Sequence, residues 1–425
     1  MFMNLYIYED IKYKNFLPIS YLRPVFLMRA GILSLFEKCK IMFPDTYIGF
    51  IVRDQLSQLI ARQYPENPVN IIKKGNKGIL LLNGRIKNLG DLLDNIKESS
   101  KSCIFVNNKN EVIGALFRSG SIETVPPVAT FIEYSNHFKT SLDNFDRVEV
   151  SVELYNYSWD VMADISKQIK FDYFKFPELR QQSNPKIDSQ AVLINKDDIF
   201  IGEDAKIYPT AIIDATEGPV FIGGNVIVDA HAAIYGPCYI GPNSHVLAGK
   251  ISHSSIGHTC RVGGEIEESV FHSYVNKYHD GFIGHSYVGS WVNFGAMTTN
   301  SDLKNNYSNI RLVLNGENID SNSNKIGSFI GDHTKFGIGT LLNTGVNIGV
   351  CCNIFGGNLV EDKEILPFSW GSTGEYQKYQ FEKAIETVKI VYDRRSVVCL
   401  AEEETLLKLI FEDKLSSEGV FNFEL

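Results

Sequence analysis

Residues 276–307 read NKYHDGFIGHSYVGSWVNFGAMTTNSDLKNNY, a run that gathers two His, two Lys and several Asp and Asn beside the small residues Gly295 and Ala296. Moving an acyl group from a thioester to an amine or hydroxyl needs a base that works near pH 7, donors for the thioester oxyanion, and a long groove for the thioester's arm. Histidine is the side chain whose charge changes in that range, which makes it the natural base. Elsewhere, Arg23, Arg29 and Arg85 could grip phosphate through their paired N–H donors, whereas Arg53 reads as surface charge. His253 and His258 stand five apart, with Glu217 36 residues before His253. They are a candidate metal set, since a catalytic zinc needs three protein ligands plus water. Cys351-Cys352 reads as packing, because no His–acid pair follows it in an evident arrangement.

The elements that must position these residues fall into three blocks. Residues 1–180 alternate β-rich runs (NLYIY, YIGFIV, VNIIK, ILLLN, CIFVNN, VIGALF) with runs of helical spacing at 29–43, 54–64 and 89–98, the pattern of an α/β layered sheet. From about residue 185 the period becomes six. Ile222, Val228, Ile234, Ile240 and Val246 keep it without a slip, as do Ile330, Phe336, Leu342, Ile348 and Ile354, and a third run is Phe282, Val288 and Phe294. This is the hexapeptide repeat of a left-handed parallel β-helix, with an aliphatic residue inward on each short strand and Gly or another small residue at corners needing positive φ. Of 34 Gly, 23 lie between Gly202 and Gly357, and eight of nine His lie between His231 and His333. On a β-helix face, His231, His245, His272, His285 and His333 read as solvated. The polar segment 301–324 breaks the repeat and is expected as a loop thrown out of the prism. Residues 371–425 carry two amphipathic helical patterns expected to cap the last coil or pack on a neighbouring subunit.

Composition bounds the function. The chain has 425 residues, 41 Lys plus Arg against 50 Asp plus Glu, and a net charge of −9 with no block of five like charges, which argues against a nucleic-acid partner. Seven Cys without a CxxC pair argue against a disulfide framework or a structural zinc and for a reducing compartment. The amino terminus reads as a first strand, not a signal peptide, and no apolar run reaches membrane-spanning length. A soluble cytoplasmic protein without a membrane partner is expected.

The chain resembles the bacterial bifunctional N-acetylglucosamine-1-phosphate uridylyltransferase and glucosamine-1-phosphate acetyltransferase family. Lys277, His279, Phe282-Ile283-Gly284 and Asn293-Phe294-Gly295-Ala296-Met297-Thr298 follow its acetyltransferase motif, and GDHTKFGIGTLLNTGVNIG (331–349) follows its coil lining the coenzyme A groove. A divergent subgroup shares Leu22-Arg23-Pro24-Val25, Arg29-Ala30-Gly31-Ile32, Asn83-Gly84-Arg85 and Glu267-Glu268-Ser269-Val270-Phe271-His272. The resemblance implies a nucleotidyltransferase-like (Rossmann-like) α/β domain at 1–180, a β-helix acyltransferase-like domain at 185–370 and a helical extension at 371–425. It implies His279 as the base that deprotonates the sugar amine. Lys277, Phe282, Asn293 and Asn300 become substrate contacts, and Gly295, Ala296, Ile338 and Gly356 the acetyl-coenzyme A site. Sugar 1-phosphate, UTP or a related nucleotide, acetyl-coenzyme A, Mg2+ for nucleotidyl transfer, and a homotrimer follow by the same resemblance.

Two departures leave alternatives open. No glycine precedes Gly31, where the family has a Gly-rich phosphate loop, and Gly84-Arg85 stands where the family has a Gly-Asp magnesium ligand. Either Arg23, Arg29 and Arg85 form a different phosphate site, or nucleotidyl transfer is lost. A family Lys that binds the sugar phosphate falls on Glu267. The expected function is sugar-nucleotide biosynthesis by acetyl transfer, nucleotidyl transfer or both; the alternatives are a non-catalytic trimeric sensor or scaffold, and a β-helix metalloenzyme of carbonic-anhydrase type.

Overall fold

In the computed structural model, residues 3–415 are described except 77, 123–127, 131–143 and 182. The last ten residues of the expected C-terminal extension lie outside them. Six strands form the first sheet in the order 48–51, 4–8, 79–83, 112–117, 103–106, 146–149. The first three run parallel and 112–117 runs antiparallel to both neighbours. The apolar runs ILLLN and VIGALF are buried at every position, because helices and loops cover both faces. Helices Leu35–Met42, Asp54–Gln63 and Leu92–Glu98 fill the positions expected from helical spacing. The first starts at a capping box between Ser34 and Glu37, which satisfies two of its free amides. Two further helices, Ser158–Ala163 and Ile165–Lys175, lead out of the domain.

The second block is the left-handed parallel β-helix. One face stacks nine parallel strands, from 199–201 to 364–365. Its inward column is Ile201, Ile222, Ile240, Ile256, Phe271, Val288, Ile330, Ile348 and Ile365, all in the prism core. Both unbroken six-residue runs point inward as expected. The third run is out of phase by one at its start: Ile283 fills the core while Phe282 stays half-buried.

The outward column of that same face decides the architecture. Phe221, Tyr239, Val270, Tyr287 and Phe329 are buried in one cluster with Phe16, Ile19, Val25, Ile32, Trp159 and Ile169 of the first domain. Tyr287 Oη donates to Arg29 O at 3.0 Å and Ser255 Oγ to Gly31 O at 2.6 Å. At about 25 cal/mol per Å2, such aromatic burial makes the two blocks one folded body. The segment expected as a loop leaves the prism, then forms an antiparallel hairpin, Arg311–Leu314 with Glu317–Asp320. Ile310, Leu312 and Leu314 join the same interdomain cluster.

One corner of the prism departs from the expected glycines. Tyr274, Trp291, His333, Cys351 and Phe368 occupy successive corners with φ between 54° and 64°. Side chains at positive φ cost free energy, and here they dock the tail. Tyr274 stacks on Trp291 at 3.9 Å and Trp291 on Tyr392 at 4.3 Å. Phe368 packs on Phe381 and Phe411 of the tail helices Phe381–Asp393 and Ala401–Phe411. The tail therefore packs along a corner of its own prism and against the first domain, where Asp54–Gln63 meets Ala401–Phe411.

Candidate functional site

His279 sits on an exposed loop, residues 278–281, between the strands Asn276–Lys277 and Phe282–Gly284. Lys277 fixes this loop from beneath: its side chain is buried and its ammonium donates to Gly263 O at 3.0 Å and to His279 O. Burial pushes Lys277 down to about 8, against the raising effect of Asp280. Lys277 is thus a corner clamp, not the substrate contact expected. Met297 N donates to Asp280 O at 3.0 Å, tying the His279 loop to the corner that carries Gly295 and Ala296.

Two grooves meet at His279. One, about 600 Å3, is lined by Tyr208, Leu247, Ala248, Tyr278, Ala296 and Met297 with His279. Its corner continues down the prism. Register pairs Phe294 with Phe336 and Phe336 with Ile354, so Ala296, Ile338 and Gly356 stand two residues on in three successive coils. The four residues expected at the acetyl-coenzyme A site are brought together in this column. A Cβ at Gly295 would lie 2.6 Å from the Gly337 carbonyl carbon and Ile338 N, so only glycine lets the coils stack there. Met297, which lines the groove together with Asp229 and Asp280, is 59% exposed, and Ile338 in the next coil is 77% exposed.

The other groove, about 630 Å3, lies between the prism and the tail. Arg261, Asn276, Asn293 and Lys335 line it from the prism and Arg394 and Arg395 from the tail. Asn293 Oδ1 accepts from Asn276 Nδ2 at 2.8 Å, which holds both amides at the groove wall. Lys335 donates to Trp291 O at 2.5 Å, and burial pushes its ammonium down to about 8. Glu267 lines neither groove. The expectation at Asn300 is corrected: its amide is buried and spent on Gly284 N, Gly284 O and Ser286, holding coils together. Phe282 lines neither groove; its amide bonds Thr299 Oγ1 at 3.2 Å.

The three arginines expected as a phosphate set do not converge with free guanidiniums. Arg23 crosses the domain interface to Asp332, with Nη1 at 3.0 Å from Oδ2, and also reaches Ser290. Arg29 donates to Ile32 O and lies over the Tyr239 ring at 5.2 Å. Arg85 pairs with Asp10, its Nε 3.0 and 2.9 Å from the two carboxylate oxygens, and donates to Tyr155 O. Arg53, expected on the surface, is 2% exposed and paired with Glu9. A buried guanidinium needs a counter-charge, and in each case the fold supplies one or a carbonyl. The magnesium ion implied for nucleotidyl transfer does not fit these residues. Glu9 and Asp10, the acids following the first strand, are each closed by an arginine, and among the described residues no group of three metal-ligating side chains gathers.

The histidine expectations change as well. His285 is buried, bridging Asp302 at 2.7 Å and Glu268 at 3.2 Å, and His333 is buried against Glu403 at 2.9 Å. His272 is pushed well below the ordinary histidine range by burial and then by Arg23 and Arg29. The two His of the metalloenzyme alternative face apart: His253 bonds Glu217 at 3.0 Å, while His258 packs edge-on against Tyr274.

Comparison with known proteins agrees with this architecture. Residues 5–181 match the model of a family described as sugar nucleotidyl transferase. A bifunctional sugar-1-phosphate nucleotidylyltransferase/acetyltransferase of Sulfurisphaera tokodaii is 32% identical over 158 residues, covering 34% of this chain and 38% of the relative. The bifunctional protein GlmU of Wigglesworthia glossinidia brevipalpis is 24% identical over 362 residues, covering 81% and 72%. The first curated relatives are matched over 38% of their own length. Among solved structures, the UDP-N-acetylglucosamine acyltransferase from Campylobacter jejuni covers 55% of this chain and 93% of its own at 14% identity and a TM-score of 0.26. Residues 5–181 thus match the sugar nucleotidyl transferase family model over the buried sheet, and the hexapeptide prism continues the chain as a left-handed parallel β-helix.

Proposed function

We propose that the protein is a cytoplasmic transferase of sugar-nucleotide biosynthesis that moves the acetyl group of acetyl-coenzyme A to the nitrogen of an amino-sugar 1-phosphate. The observation that carries this is the placement of His279 where an apolar groove along one prism corner meets a cationic groove under the tail. The apolar groove suits the pantetheine arm. The cationic groove suits the phosphorylated acceptor. His279 takes the proton from the acceptor nitrogen as the N–C bond forms at the thioester carbonyl. In this reading the oxyanion accepts from the amide of Ala296, a residue that lines the apolar groove. As the C–S bond breaks, the imidazolium returns the proton to the departing thiolate. A homotrimer is the proposed assembly, with the exposed Met297–Ile338 corner as the face a second copy covers.

His279→Ala is expected to lower acetyl-coenzyme A-dependent thiol release by roughly 100- to 10,000-fold, the range for loss of a general base, without changing thermal stability. Unchanged thiol release would show that the base is assigned wrongly. A second reading is favoured by the family match of residues 5–181: nucleotidyl transfer from UTP or a related nucleotide to a sugar 1-phosphate. Pyrophosphate release across a panel of hexose and hexosamine 1-phosphates measures it. Absence of both products with nucleotide still bound would favour the sensor or scaffold.

A further inference from the structure

The tail meets the prism at a concentration of positive charge, where Arg261, Lys335, Arg394 and Arg395 line one groove. The helix Phe381–Asp393 buries Ala384, Ile385, Val388 and Tyr392, and its end is held by Arg394 N on Ile390 O and Arg395 N on Tyr392 O. The two arginines are therefore delivered to the groove on fixed backbone, opposite Arg261 and Lys335. No acidic residue lines this groove. Among the described residues, none of the three guanidiniums has a carboxylate partner within 4.0 Å. Arg395 is held below the ordinary guanidinium range by burial and then by Arg261 and Arg394. In a chain of net charge −9, such crowding is unfavourable unless an outside anion relieves it.

We propose that Arg394 and Arg395, with Arg261, are the phosphate clamp of the acceptor, so that the C-terminal extension completes the transfer site and selects a phosphorylated sugar; this rests on the acyl-transfer reading above. Guanidinium forks bind phosphate oxygens in pairs, and the neighbouring Asn276 and Asn293 amides suit sugar hydroxyls.

The test is calorimetric, with the full chain and three probes: glucosamine 1-phosphate, glucosamine and coenzyme A. The double variant Arg394→Gln/Arg395→Gln should weaken glucosamine 1-phosphate binding at least tenfold, as expected for lost charge-assisted hydrogen bonds. Affinity for coenzyme A should stay unchanged. Arg394→Lys/Arg395→Lys should recover part of the loss. Unaltered glucosamine 1-phosphate affinity in the double Gln variant, no binding by the wild type, or a loss confined to coenzyme A would overturn the clamp. Should the double variant unfold, the single Arg394→Gln change at an exposed side chain carries the same expectation and the same refutation. Arginine-dependent binding without any thiol release would keep the clamp and discard the acyl-transfer reading.

Discussion

At the scale of single residues, buried charges set the geometry of the loop that carries the exposed His279. Lys277 has no role toward solvent; its ammonium pins the carbonyls of Gly263 and His279. Lys277→Met is expected to leave those carbonyls unsatisfied, at about 1–3 kcal/mol in thermal unfolding, and to lower kcat more than it raises acceptor KM. His285 allows a pH prediction. Burial alone would depress it, but its hydrogen bonds to the Asp302 and Glu268 carboxylates outweigh that and raise it from 6.5 to about 9. Its contribution is complete below pH 6.5 and is lost as pH rises toward 9, an interval corresponding to about 3 kcal/mol. Glu268 and Asp302 are held low by the same contacts, so their share is lost only in acid. Denaturant midpoints should therefore fall between pH 6 and pH 9.5, and His285→Gln should flatten that slope. The sequence marked His285 only as one of a crowd of histidines; its two acids come from positions 17 residues apart on either side, Glu268 and Asp302, which coil stacking alone brings together.

Elements show the same division. The inward residues of the prism were legible because a six-residue period has one structural solution, and both unbroken runs lie in the core. The outward column was not. Phe221, Tyr239, Tyr287 and Phe329 have no period of their own beyond the repeat, and a solvated sheet face could carry aromatics singly without consequence. Polar neighbours likewise hid the alternation of Ile310, Leu312 and Leu314 in the ejected segment. Leu312→Ala should cost about 2–5 kcal/mol by emptying space in the interdomain cluster, measured by urea unfolding. A cost near zero would mean that the hairpin does not dock.

Across the whole molecule, the Arg23–Asp332 pair links the first domain to the β-helix. Asp332→Asn should destabilise the protein by about 3–5 kcal/mol, because it leaves a buried guanidinium without its counter-charge, and calorimetric unfolding measures this. The sequence by itself determined the α/β block and the prism, since those follow from local periodicity, and it singled out His279 only through a resemblance. Only tertiary structure decided that Arg23, Arg29 and Arg85 are spent inside the protein, and that the tail brings Arg394 and Arg395 to the groove beside His279. The physical reason is that an arginine's role depends on what stands opposite it. That partner lies 309 residues away for Arg23 and 75 for Arg85, and for the tail arginines no acid lines the groove among the described residues.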